Sequence, residues 1–296
     1  MSPSPRQKLL PLALAVLAFV GIFSGFALGW LVRLHLQPEP VATRQPLPVE
    51  PEFADLGVAL VPESTPPERV HTYNWSVESL APARHRVGYG LGEALATKLE
   101  REHAAYGERM GFRMLAADRF TYQAPPGCRT DMHCIYDELM RTNAEPVHAL
   151  GERFLTHIRA RQLDTAQSAD LILGFVQRIR YELPKDAPFG IVPPALVPAL
   201  DKGDCDSKAV LAVMLLRQAG IDAAILYSDP LSHAAVGVGL PGTGTSLRHG
   251  ARAYRYAEVS SEGWPVGMIP PRYDQPRLWR VLPPPGLQGD GIGGAG

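Results

Sequence analysis

The chain has 296 residues, 46% of them hydrophobic and 20% charged, with a formal net charge of −1. That length and apolar content suffice for one folded domain of roughly 150–200 residues plus appendages. The charge balance excludes a nucleic-acid binder, which needs a basic face to displace counterions. Pro (29) and Gly (28) are unevenly spread, so they mark linkers and tails rather than a disordered whole.

Residues 1–8 read as a short cytoplasmic N-terminus and residues 9–32 as a transmembrane signal anchor. Leu9 to Val32 carries no charge, and a spanning helix needs about 20 apolar residues where a signal-peptide core needs about 7–15. Arg6 and Lys8 precede it and Arg33 follows, a slight positive-inside bias that puts the following residues outside the cytoplasm. A cleaved signal peptide is the rival, with Ala27-Leu28-Gly29 a poor cleavage site. Gly21, Gly25 and Gly29 fall on one face of this helix and would let a second copy approach as a homodimer, although glycine is common in spanning helices in any case.

Residues 33–69 are Pro-rich and read as an extended spacer with a short apolar patch, Leu56 to Val61. Residues 70–142 read as an accessory α/β region. It opens with a strand, Val70–Val77, and continues with an amphipathic helix from Leu91 to Met110, with Leu91, Leu95, Leu99 and Ala105 on one face. Gly88, Gly90 and Gly92 match neither glycine-rich phosphate fingerprint, and no Lys-Ser/Thr pair follows them.

Residues 143–282 read as the main domain. Two helices, Pro146–Arg161 and Thr165–Ile179, precede a loop from Pro184 to Pro198 and a helix entered at Cys205. Strands follow at Asp222–Tyr227, His233–Leu240 and Ala253–Ser260. Helices followed by an antiparallel sheet make an α+β pattern. Residues 283–296, rich in Pro and Gly, read as a flexible tail.

The chain has three cysteines. In an oxidising compartment a disulfide between Cys128 and Cys134 is the simplest fate of that pair. A metal site that adds His133 lacks a fourth ligand and a known zinc spacing, and two separate buried thiols are the plain alternative. Cys205 is then left unpaired. It stands in Gly203-Asp204-Cys205-Asp206-Ser207-Lys208, in the first turn of a helix ended by Gly220. A helix start offers free backbone N–H groups and a positive dipole end, both of which favour thiolate and can hold an oxyanion. Asp204 and Asp206 would oppose this if their side chains turned inward. A nucleophilic thiol needs a base and the base an orienter. His233 opens an apolar strand, and Glu258 is the one carboxylate in Tyr254-Arg255-Tyr256-Ala257-Glu258-Val259.

Read in order, Leu173 to Tyr181, Gly203 to Ala209, Leu215 to Ile221, His233 to Val238 and Tyr254 to Glu258 resemble the transglutaminase-like core domain. The resemblance runs from about Glu145 to Ile269 and implies a papain-like α+β fold with the nucleophile at a helix N-terminus. It implies Cys205 as nucleophile, His233 as base and Glu258 as acid, with Gln177 or Tyr181 at the oxyanion site. Two positions depart from the pattern: the acid is Glu rather than the usual Asp, and Ala234 replaces the aromatic that usually follows the histidine. The expected activity is that of a thiol peptidase or amidase, with protein cross-linking as a variant and a non-catalytic binding or scaffold module as the alternative. The expected setting is the inner membrane, single-pass, facing a periplasmic protein or peptide substrate, with no metal and no cofactor.

Overall fold

The computed structural model describes residues 53–62, 67–116, 119–128 and 132–284. The expected anchor 9–32, its glycine face and nearly all of the tail lie outside the described residues. Among the described residues no helix is long and apolar enough to cross a membrane.

The architecture is α+β. Three strands, β1 (Phe53–Val61), β2 (His71–Ser76) and β3 (Arg84–Leu91), form a sheet in the order β1-β3-β2. Strand β1 runs parallel to β3, and β2 runs antiparallel to it. Residues 53–61, expected in the spacer, are therefore a sheet strand. Burial alternates along β1, with Ala54, Leu56, Ala59 and Val61 inside, which is the period a half-covered sheet imposes.

Helix α1 (Glu93–Arg109) follows, and buries Leu99, His103, Tyr106 and Gly107. Its expected face is only partly reproduced: Leu95 is half-buried and Ala105 lies at the margin. A small hairpin, β4 (Arg113–Ala116) and β5 (Arg119–Thr121), precedes α2 (His133–Thr142). Cys128 and Cys134 are joined as a disulfide just ahead of and inside the first turn of α2, Cα to Cα 5.8 Å.

Helices α3 (Ala144–Arg161) and α4 (Thr165–Arg178) pack on the three-stranded sheet. Trp75 is the centre of this contact. Its ring meets Phe154 and Phe175, and its Nε1 donates to Leu171 O at 3.1 Å. Gly174 makes room for it, because a Cβ there would lie 3.0 Å from Trp75 Cδ1. Residues 51–296 cluster as one unit, so packing does not break at the expected division between 142 and 143.

The short parallel pair β6 (Arg180–Tyr181) and β7 (Lys202–Gly203) brackets the Pro-rich loop, in which α5 (Leu196–Leu200) is one turn. Helix α6 (Cys205–Gln218) is apolar on nearly every side and runs through the core, as a helix covered all round must. It packs on the five-stranded antiparallel sheet β10-β11-β9-β8-β12, made of β8 (Ala223–Ser228), β9 (His233–Val238), β10 (Ser246–His249), β11 (Arg252–Ala257) and β12 (Arg280–Leu282).

Both faces of that sheet are covered. Ala223, Ile225, Ala234, Val236 and Val238 join the helical core, while Ala224, Leu226, Ala235, Tyr254 and Tyr256 meet Tyr273 and Trp279 on the other face. This explains why β8 and β9 lack polar alternation. Gly237 is required by close approach, since a Cβ there would sit 2.8 Å from Tyr254 Cβ and 2.9 Å from Leu226 Cδ2.

Because the sheet, α4 and α6 share one core, Trp75→Ala is expected to lower unfolding free energy by roughly 3–5 kcal/mol. Urea melts followed by far-UV circular dichroism and by exposure of Cys205 should show one shared midpoint; two separated transitions would contradict the single unit.

Candidate active site

His233 and Glu258 meet where β9 begins and β11 ends, and Cys205, at the start of α6, lies beside the first residues of β9. Asp204 caps α6: its carboxylate accepts from Ser207 N at 3.0 Å and from the Ser207 hydroxyl. The same hydroxyl accepts from Val192 N at 2.8 Å, which ties the Pro-rich loop to the helix start. On the strand side, His233 is the first residue of β9, and Ala257, the last of β11, pairs with Val236. Glu258 therefore falls one residue past the strand, not within it as the sequence pattern suggested.

Glu258 is 1% exposed, and a buried carboxylate is costly unless its oxygens are satisfied. Oε1 accepts from the backbone N–H groups of Val259 (3.0 Å) and Ser260 (2.9 Å), and Oε2 accepts from Tyr256 Oη (2.8 Å) and His233 Nε2 (3.0 Å). Burial pushes this carboxyl up, but the His233 bond and charge, the Ser260 N–H and the Tyr256 hydroxyl outweigh it and hold the group at about 2. An ionised carboxylate only accepts, so the Nε2 of His233 carries the proton. The basic nitrogen of the imidazole is then Nδ1. The ring is held flat against Tyr273, centroids 3.9 Å apart and planes 11° apart, with Trp279 meeting it edge-on at 6.0 Å. These two aromatics, distant in sequence, cover the histidine that Ala234 leaves uncovered.

Cys205 is free, 5% exposed, and beside the start of β9, whose Ala234 N–H points at its sulfur. Among the described residues no hydrogen bond joins it to His233. Its thiol donates instead to Asp206 Oδ2 at 3.4 Å, and Asp206 Oδ1 accepts from the hydroxyl of Tyr136, a fully buried residue of α2. Burial pushes the Cys205 thiol well up, and the charges of Asp206 and Asp204 push the same way against the Ala234 N–H. The helix dipole, worth about 0.3–1 kcal/mol, is outmatched, so Cys205 rests as a neutral thiol. Asp204 itself is raised to about 7 by burial and by Asp206.

The two residues expected at the oxyanion site part company. Gln177 is not available: its Nε2 donates to Glu258 O (2.8 Å) and Trp264 O (2.9 Å), which uses both amide hydrogens. It props the turn after Glu258. Tyr181 pairs with Gly203 and is half exposed; burial raises its phenol, and the nearby acidic groups, Cys205 and Asp204 among them, act in the same direction. Lys208, 0% exposed, is a residue the sequence reading passed over. Its Nζ donates to Ile179 O (2.6 Å) and Gln177 O (3.3 Å), closing the end of α4. Burial lowers it to about 8, against the pull of Glu258 and other acids. Asp204, Cys205 and Asp206 converge within 4.8 Å, and their carboxylate oxygens accept from Ser207, Tyr136 and the thiol.

Because Cys205 starts protonated, its alkylation by iodoacetamide is expected to keep rising through pH 9, past the ordinary thiol midpoint of about 8.5. Asp206→Asn removes a neighbouring charge and acceptor, and should move that profile to lower pH by about one unit or more. A wild-type plateau below pH 8 would contradict both expectations.

No family model matches this chain, and no curated protein matches it. One solved structure aligns with part of it, a protein described only provisionally as a protease, from Parabacteroides distasonis. The identity is 11%, the TM-score 0.30, and the alignment covers 51% of this chain and 37% of that one, so this chain spans little more than a third of its length.

Proposed function

We propose that this protein is a transglutaminase-like, papain-like thiol enzyme that cleaves amide or peptide bonds. The observation that carries the reading is the buried, hydrogen-bonded pair of His233 and Glu258, 3.0 Å apart, at the strand ends against which the first turn of α6 sets Cys205. A buried histidine fixed by an ionised carboxylate is the base and orienter that a thiol nucleophile needs.

In this reading Cys205 Sγ attacks the carbonyl carbon as its proton passes to His233 Nδ1. The imidazolium then protonates the departing amine, leaving a thioester on Cys205. Water, deprotonated by His233, attacks the thioester, and the acid leaves as the thiol is regenerated. Glu258 stays ionised throughout and stabilises the imidazolium. The free N–H groups at the start of α6 are the candidate oxyanion donors, since Gln177 is engaged elsewhere. A primary amine in place of water would make the same site a cross-linking one. The proposed setting is the outer side of the cytoplasmic membrane, held by the segment 9–32, with an envelope protein or peptide as substrate; the uncharged run Leu9 to Val32 supports this.

A second reading, a binding module that keeps this fold without turnover, draws on the Cys205 bond to Asp206. The two separate on hydrolysis of a fluorescent casein. Cys205→Ala should abolish hydrolysis and thiol labelling, and His233→Ala should lower hydrolysis by roughly 10²–10⁴-fold. Glu258→Gln should fall in the same range, because the amide no longer fixes the Nε2–H tautomer. Hydrolysis that survives Cys205→Ala would sink the thiol mechanism. Labelling with no turnover of any amide would favour the binding module.

A further inference from the structure

His233, Tyr273 and Arg272 form three layers. The imidazole fills one face of the Tyr273 ring at 3.9 Å, and the Arg272 guanidinium lies over the ring with its Cζ 4.4 Å from the centroid. Since the first face is taken at van der Waals spacing, the guanidinium occupies the other. It is thus held one ring's thickness from the proposed base, on a planar support that suits its delocalised cation.

Arg272 is exposed, and among the described residues no carboxylate lies within ion-pair distance of it. Four other cations near the site are engaged. Lys208 is buried against two carbonyls, Lys202 and Arg180 pair with Glu182, and Arg178 pairs with Glu262. The acids nearest the thiol are likewise occupied: Glu258 by four donors, Asp206 by Tyr136 and the thiol, and Asp204 by Ser207. Beside the proposed base, then, is a guanidinium preoriented on the Tyr273 ring with no ion-pair partner among the described residues; part of it hydrogen-bonds the Tyr273 side chain, and the rest of its donor fork matches a carboxylate.

We propose that Arg272 is a specificity-determining residue that receives an anionic group, in first place a carboxylate, carried by the substrate close to the bond attacked by Cys205. This rests on the reading of Cys205 as the nucleophile. Tyr273 serves both partners, fixing the imidazole with one face and the guanidinium with the other, so the anion and the scissile carbonyl are registered against a single ring.

The test uses two alkylating reagents of nearly equal size, iodoacetate and iodoacetamide, on the intact protein. The ratio of their second-order rates at Cys205 reports attraction of a carboxylate and cancels any general change in thiol reactivity. Arg272→Gln is expected to lower that ratio by about fivefold at low salt, the effect of one unit charge at this range in a partly screened setting. Arg272→Lys should keep part of the preference, and 0.5 M salt should shrink it. Arg277→Gln, which removes an exposed charge elsewhere on the same segment, should leave the ratio unchanged. A ratio unmoved by Arg272→Gln, or moved equally by Arg277→Gln, overturns the proposal while leaving Cys205 as nucleophile. Failure of both reagents to modify wild-type Cys205 overturns the nucleophile reading and this one with it.

Discussion

The ionised carboxylate of Glu258, buried and satisfied by four donors, is the constraint on which the site depends. An uncompensated buried charge would cost several kcal/mol, so each donor must be delivered accurately. Two of them are the next backbone amides, which forces the chain to turn immediately after β11. Tyr256 lies two residues earlier and therefore on the same sheet face. His233 arrives through the register that pairs Ala257 with Val236. The turn is held from below by Gln177, whose helix end is closed by Lys208. One carboxylate thus sets the tautomer of the imidazole and recruits α4, α6, β9 and β11 around it.

The Cys205 thiol is set up differently. Proteins often lower a thiol's pKa by placing it at a helix start, and α6 begins at Cys205. Here burial and two flanking aspartates act against that field. The balance favours a neutral thiol over a standing thiolate–imidazolium pair, so in the proposed reaction its proton would leave as the sulfur attacks. Glu258 fits such a scheme, because its carboxylate fixes the proton of the neutral imidazole on Nε2 and so leaves Nδ1 as the acceptor nitrogen.

Local signals were legible in the sequence where they were dense. The helix at Cys205, the strands that start at His233 and end beside Glu258, and the helix pair at 144–178 follow from apolar periodicity and capping residues such as Asp204. What escaped was long-range. Nothing near Tyr136, Tyr273 or Trp279 shows that they would face Asp206 or His233, because those contacts span tens of residues. Strand β1 was hidden in a Pro-rich context, where Gly57 and the neighbouring prolines read as a linker. For Gln177 the resemblance supplied a position and not the partners of its amide, which are Glu258 O and Trp264 O. Lys208 did leave a trace, as the one charge in the apolar run after Ser207, and a lysine there must reach buried carbonyls or be expelled.

The small N-terminal sheet has a role in this design beyond covering apolar surface. Trp75 binds the middle of α4, the helix that ends in Gln177 and Arg178, and Tyr73 Oη donates to Pro198 O at 2.6 Å, just ahead of the turn that leads into Cys205. The sheet therefore braces both approaches to the site, the prop under Glu258 and the turn into Cys205. A shift of either helix end by an ångström would loosen hydrogen bonds whose geometry falls off steeply. The accessory strands and the site residues accordingly pack as parts of one compact unit.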